Sequence, residues 1–251
     1  MEAILGFFIA LAIAVTGVGA GTITAPVLML FMGIDPAIAV GTALIFSFLV
    51  KIPAGVSYWM KRKVNMGALS LMVAGGVPGV VTGTYMLGHL AQNHRLKAAI
   101  LVVVGGIVLF SAILNFVLMV KRVDMARHHE RLRKFIPLCA FFIGVEVGFS
   151  SAGAGALGTM LLLYTTDIFA CSVVGTDILF GLILSTVGGG IHLIMGTVDQ
   201  ALLLKLSAGG LFGALAGVHL AAKAPARPLK FALLAWLVFI GSQLLYRGVA
   251  G

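Results

Sequence analysis

Apolar residues run along this chain in eight long stretches, at roughly 3–32, 36–60, 66–88, 96–120, 135–164, 168–196, 200–222 and 228–249. Each is long enough for a helix that crosses or enters a bilayer, and the connections between them are short. One polar segment is sizeable, 121–134 (KRVDMARHHERLRK), and it reads as a solvated cytoplasmic linker. It divides the chain into an N-terminal membrane unit, 1–120, and a C-terminal one, 135–251. The predicted fold is an all-α polytopic membrane protein of two four-segment halves. The first segment of each half differs from the others. Thr16-Gly17-Val18-Gly19-Ala20-Gly21-Thr22 interrupts the first, and Ser150-Ser151-Ala152-Gly153-Ala154-Gly155-Ala156 interrupts the fifth. Such runs of small residues weaken a helix and free backbone N–H groups. In a membrane those groups must be buried in protein or face a watery cavity, so both breaks are expected to point inward.

The two halves are copies. Residues 19–83 and 153–217 align without a gap at a constant offset of 134. Gly19, Gly21, Gly41, Gly55, Gly75, Gly76, Gly79 and Gly83 fall on Gly153, Gly155, Gly175, Gly189, Gly209, Gly210, Gly213 and Gly217. Many secondary transporters are built from such repeats, with the substrate site between them.

Composition agrees with a bilayer protein: 61% of residues are hydrophobic, 10% are charged, and the mean hydropathy is +1.14. The net charge of +9 does not point to nucleic acid, because the basic residues sit in loops between apolar runs, as the positive-inside rule expects. If all eight segments span, ten basic loop residues lie on one side and five on the other. If the first and fifth segments are re-entrant hairpins, Lys223, Arg227 and Lys230 join the majority and Arg247 leaves it. The count becomes twelve against three. Three spans per half would also invert the second half relative to the first, whereas eight spans make the halves parallel. Glu2 and the lack of a basic leader argue against a cleaved signal peptide. Cys139 and Cys171 belong to no CxxC or Cys/His cluster and read as core thiols, with no metal site or cofactor implied.

Candidate chemistry falls into two sets. The first is an anion site built from half-helix N-termini at the breaks, with Gly19, Gly21, Thr22, Gly153 and Gly155. The repeated hydroxyls of Thr42 and Thr176 would donate to the same substrate. Helix packing is the competing role for the break glycines, and a bond to their own helix is the competing role for the hydroxyls. The second set is the ionisable residues inside apolar segments: Lys51, Glu146, Asp177, His192 and Lys205. Each is costly in lipid. Asp177, Glu146 or His192 is expected to take up a coupling proton, and Lys51 to offset substrate charge. A structural Lys51–Asp177 pair is the alternative. Lys205 sits near a segment start and can reach the interface. The glycines at 75–83 and 209–217 have small-xxx-small spacing and are expected to pack helices. Asn65 and Asp199 are expected to cap the helices that follow them. No nucleophile–base set, HExxH or Cys-rich spacing is present, so an enzyme is not expected.

Gly17-Val-Gly-Ala-Gly-Thr-Ile-Thr-Ala-Pro26-Val-Leu28 resembles the glycine-rich signature of the sulfite exporter TauE/SafE family, and Ala39-Val-Gly-Thr-Ala-Leu44 and Val173-Val-Gly-Thr-Asp-Ile178 fit its repeated pattern. The chain departs from that pattern at Ala20, where a glycine is common, and at Met160, the counterpart of Pro26. The resemblance implies a carrier in a bacterial-type cytoplasmic membrane. Its substrate would be sulfite, a sulfonate or a related sulfur-containing or organic anion, moved by alternating access with a coupling proton or cation, in a chain that could form a homo-oligomer. An anion channel and a membrane-embedded assembly factor or enzyme are the alternatives.

Overall fold

The first and fifth apolar stretches each divide at their run of small residues, so the eight stretches become ten helices in the computed structural model, which describes residues 2–16, 20–93, 96–120, 130–152, 154–221 and 226–250. In chain order these are α1 (Glu2–Thr16), α2 (Ala20–Phe31), α3 (Pro36–Met60), α4 (Met66–Ala91) and α5 (Lys97–Val120). Then come α6 (Ile136–Ser150), α7 (Ala154–Thr165), α8 (Ala170–Ile194), α9 (Gln200–Ala221) and α10 (Ala226–Ala250). A 3-10 turn over Glu130–Phe135 leads into α6. Among the described residues no strand occurs, and six helices, α3, α4, α5, α8, α9 and α10, are long and apolar enough to cross a membrane. Both bounds of α1, α2 and α3, moved on by 134, give the bounds of α6, α7 and α8, and the start of α4 likewise gives the start of α9.

Helix directions follow from which residues touch. Gly75, Gly79 and Gly83 of α4 lie against the backbone of Pro137, Phe141 and Val145 in ascending order, so α4 and α6 run parallel. Gly209 and Gly213 of α9 lie in the same way against Ala3 and Phe7 of α1. Gly41 of α3 meets His192 of α8, while Gly55 meets Leu179 and Leu182, so α3 and α8 run antiparallel. One face therefore gathers the starts of α1, α3, α5 and α9, joined by Lys205–Glu2 (2.9 Å) and Lys97–Asp35 (2.5 Å) ion pairs. On the same face Arg247, at the end of α10, donates to Leu30 O near the end of α2 (3.2 Å). Hence α2 returns to the face where α1 began, and α1–α2 is a re-entrant hairpin. By the parallel contacts of α6, the α6–α7 hairpin enters from the opposite face. At 1.5 Å per residue the 15-residue α1 and α6 are each about 22 Å long, too short to span a core of about 30 Å but long enough to pass its middle.

The close packing has a simple cause. A Cβ at Gly75, Gly79 or Gly83 would overlap a carbonyl oxygen of α6, and one at Gly209 or Gly213 a carbonyl oxygen of α1. Only glycine lets these backbones touch. Phe180 sits over Gly76 and, at the repeat-equivalent place, Phe46 over Gly210. Asn65 caps α4 by accepting from Ala68 N (2.9 Å), and Asp199 caps α9 by accepting from Leu202 N (2.9 Å). The cysteines differ from expectation: Cys139 and Cys171 are free and exposed on the outer surface, because the helix sides that carry them face away from the bundle.

Candidate functional site

The two hairpin tips meet. Gly21, one residue into α2, lies directly against the carbonyl and hydroxyl of Ser151, one residue past α6. The meeting place is enclosed, since Ala20, Gly21, Thr22, Ser150, Ser151 and Ala152 are all buried. Ser151 turns the chain with φ 61°, in the left-handed region, and its N–H bonds back to Val147 O. The repeat-equivalent residue in the first half is Gly17, the residue type such a turn prefers. Ser150 uses its hydroxyl twice, donating to Glu146 O (2.9 Å) and accepting from Ala152 N (3.2 Å). Of the expected anion-site residues, Gly19 and Gly153 lie outside the described residues. Gly21 and Thr22 stand in the first turn of α2, and Gly155 in the first turn of α7. The first turn of each half-helix thus begins at the point of contact.

Thr42 and Thr176 are fully buried, and their hydroxyls join the halves. Asp199 N donates to Thr42 Oγ1 (3.2 Å), and Asn65 N donates to Thr176 Oγ1 (2.9 Å). Thr176 Oγ1 also donates to Ser172 O (2.6 Å). The glycines before them are equally engaged: Gly41 lies on Thr197 O and Gly175 on Lys63 O. These two junctions are repeat-equivalent and lie toward opposite faces of the bundle.

The ionisable residues separate into four places, none of them shared by the other half. Asp177 is buried between α7 and α8, where its Oδ2 accepts from Thr159 Oγ1 (3.0 Å) and its Oδ1 has no partner and faces Gly158. Lys51 is within electrostatic range of Asp177, yet no direct ion pair joins them. His192 is fully buried on α8, with Nδ1 on Thr197 Oγ1 (2.7 Å) and Nε2 unpartnered, and its ring faces the backbone of Gly148. Glu146 accepts from Ser111 Oγ (3.2 Å) and borders two open grooves of about 500 and 510 Å3 that share Phe110 and Phe142. Lys205 is ion-paired with Glu2 at the bundle's end. Sequence reading missed Ser151, Thr159 and Ser111. The signal for Ser151 and Thr159 is that they break the repeat, standing opposite Gly17 and Ala25, whereas Ser111 lies beyond the aligned segments and carries no such signal. Among the described residues no cluster of His, Cys, Asp and Glu could hold a metal ion.

The sulfite exporter TauE/SafE family model matches residues 3–244. A probable membrane transporter protein of Bacillus subtilis, YjnA, is 27% identical over 249 residues, covering 96% of this chain and 98% of the relative. A second from the same organism, the probable membrane transporter protein YunE, is 24% identical over 260 residues, covering 93% of this chain and 92% of the relative. No solved structure matches. The chain belongs to the sulfite exporter TauE/SafE family and is a membrane transporter.

Proposed function

We propose that this family member is a secondary carrier that moves a small sulfur-containing or organic anion across the cytoplasmic membrane by alternating access. The observation that carries the reading is the meeting of the two hairpin tips, Gly21 against Ser151, between oppositely directed halves. Half-helices α2 and α7 start there, and their free N–H groups and positive dipole ends are suited to an anion. Carriers with inverted repeats and broken helices place their substrates at such a boundary. The proposed substrate set is Gly19, Gly21, Thr22, Gly153 and Gly155. Thr42 and Thr176, whose hydroxyls are engaged at junctions toward opposite faces, would meet the substrate in turn as each junction loosens and one half rocks against the other.

A proton or cation drives the cycle in this reading. Asp177 is the first candidate to carry it, because its Oδ1 is buried and unpartnered while Lys51 stands within range to offset charge. Glu146 and His192 are the further candidates. A buried carboxyl without a full set of partners is costly when ionised, so it binds a proton readily.

The test is radiolabelled sulfite, thiosulfate, sulfoacetate and taurine flux in proteoliposomes under an imposed pH gradient. Saturable flux with counterflow, accelerated by the gradient, is the expected result. Unsaturable flux without counterflow would indicate a channel, and no flux of any of the four would remove the reading. Gradient-driven flux that survives in Asp177→Asn, Glu146→Gln and His192→Gln alike would leave a carrier without this proton coupling.

A further inference from the structure

Threonines in these helices habitually turn the hydroxyl back to the carbonyl four residues earlier. Thr24, Thr82, Thr165, Thr166, Thr176 and Thr186 all do so, at 2.6–2.8 Å. Thr84 of α4 does not. It is fully buried, its Oγ1 has no partner, and it points across to α6 and α8, 3.0 Å from where a Cβ on Gly148 would stand and 3.6 Å from one on Gly188. Gly148 is also the backbone that the ring of His192 contacts, and the Nε2 of His192 makes no well-aligned hydrogen bond. Three residues after Gly148 stands Ser151, 7% exposed, whose Oγ is unpartnered as well. The end of α6 is thus bordered by two buried hydroxyls with nothing to bind and by an imidazole whose Nε2 makes no well-aligned bond, just before α7 begins.

A buried hydroxyl or imidazole without a partner is costly, and so large a local concentration of them calls for an explanation. The repeat shows that the fold does not need them. The repeat-equivalent positions hold Val218, Tyr58 and Gly17. Resting on the carrier reading above, we infer that Thr84, Ser151 and His192 form the oxyanion-binding subsite at the second hairpin tip, and that it selects a singly charged oxyanion over a doubly charged one.

The selectivity follows from what the ring can offer. Thr84 and Ser151 each have an O–H to donate. His192 adds an Nε2–H when the Thr197 hydroxyl turns from the His192 carbonyl oxygen (3.2 Å) to Nδ1 (2.7 Å) and the ring exchanges its contact with the Gly148 backbone for the ligand, and the start of α7 adds roughly half a positive charge. Among the described residues no fixed cation stands beside them: Lys51 is ten residues along α3 from Gly41, which packs on His192, or about 15 Å of helix. Neutral donors and a dipole end can replace the hydration of one negative charge, but a second charge buried without a cation is too costly.

Methanesulfonate and sulfate test this, since both present sulfur-bound oxygens and they differ in charge at neutral pH. The full-length protein is assayed in detergent for ligand-dependent thermal stability and in proteoliposomes for inhibition of sulfite flux. Methanesulfonate is expected to raise the melting temperature and to inhibit flux, and sulfate at equal concentration to do neither. Thr84→Val keeps the shape and removes only the orphan hydroxyl. Ser151→Gly removes the other and suits the left-handed turn. Both variants are expected to be as stable as the parent, or more so, without ligand, and to bind methanesulfonate about tenfold more weakly. Unchanged methanesulfonate affinity in both variants, or sulfate acting as strongly as methanesulfonate, overturns the subsite while the carrier reading stands. Lower ligand-free stability in both variants would show that the hydroxyls hold the fold, which also overturns it. A parent protein that moves no sulfur oxyanion removes the carrier reading and this inference with it.

Discussion

The α1–α2 hairpin is held along α9 through Ala3 and Phe7, and the α6–α7 hairpin along α4 through Pro137 and Phe141, by contacts that the repeat maps onto one another. The residues around the two hairpins do not map in that way. Asp177, Thr159, Glu146, His192 and Ser151 surround the second hairpin, where the first half has Ala43, Ala25, Ala12, Tyr58 and Gly17. The backbone scaffold keeps its two-fold character because each glycine contact is set by the approach of two main chains, which tolerates no side chain on either copy. The polar groups are free of that constraint. Chemistry has accumulated on one hairpin, and in the proposed carrier the second hairpin would sense the transported ions while the first supplies a matching surface.

The scaffold side of this comparison predicts the largest effects, and equal ones. Gly79→Val and Gly213→Val each push a side chain into a carbonyl of the opposing hairpin, and each should cost about 3 kcal/mol. Loss of monodisperse protein on size exclusion, to the same degree in both, is the expected readout. A silent Gly213→Val would show that the α1–α9 contact is not the counterpart of α6–α4. The chemical side predicts inequality. Asp177→Asn should reduce gradient-driven flux by about tenfold or more, corresponding to about 1.4 kcal/mol in the barrier, with little change in folding because Thr159 can still donate to the amide oxygen. Placing the carboxyl on the other half, as Ala43→Asp in that background, should not restore flux, since Ala25 offers no hydroxyl where Thr159 stood. Restored flux would make the halves interchangeable and end the distinction.

The two junctions lie between these extremes. Thr42→Val and Thr176→Val are close in shape but leave the N–H of Asp199 or Asn65 without its acceptor, at about 1–3 kcal/mol each. Similar falls in melting temperature are expected. Because the junctions lie toward opposite faces, accessibility to a membrane-impermeant thiol reagent should change on opposite sides in the two variants. Same-sided changes would show that the junctions do not open in turn. For this measurement the exposed Cys139 and Cys171 are first replaced and a single reporter cysteine is introduced beside each junction.

Much of the fold was legible in the sequence because it rests on local rules. Hydrophobic runs set the helices, small-residue runs divide the first and fifth of them, and the capping roles of Asn65 and Asp199 follow from one side chain and its own helix. Helix direction was less legible. Basic-residue counts of twelve against three and ten against five both satisfy the positive-inside rule, and only pairings such as Arg247 with Leu30 separate them. The roles of Thr42 and Thr176 were hidden for another reason. Their donors are backbone N–H groups 157 and 111 residues away, and a backbone N–H leaves no mark on residue type. The same holds for the contact of Gly21 with Ser151. The ionisable residues stood out at once, but their partners Ser111 and Thr159 are ordinary helix residues until the fold brings them close.

The smallest effect tests whether the scaffold is as symmetric in its strain as in its contacts. The turns from α3 to α4 and from α8 to α9 place Arg62 and Gly196, which are repeat-equivalent, at φ 53° and 67°. Glycine accepts that conformation without a steric penalty, whereas arginine does not. Arg62→Gly should therefore stabilise the protein, by up to about 1 kcal/mol after the added freedom of the unfolded chain is counted, and Gly196→Ala should destabilise it by about 1–2 kcal/mol. Thermal melting of the two variants against the parent decides the point. Arginine is retained at the strained position on the face that also carries Lys61, Lys63 and Arg133, which suggests that its charge outweighs its geometry there. If Arg62→Gly stabilises the protein yet lowers its insertion in one orientation, membrane topology explains why the strain is kept. If it does neither, the two turns are not equivalent in energy, and the symmetry of the scaffold ends at its helices.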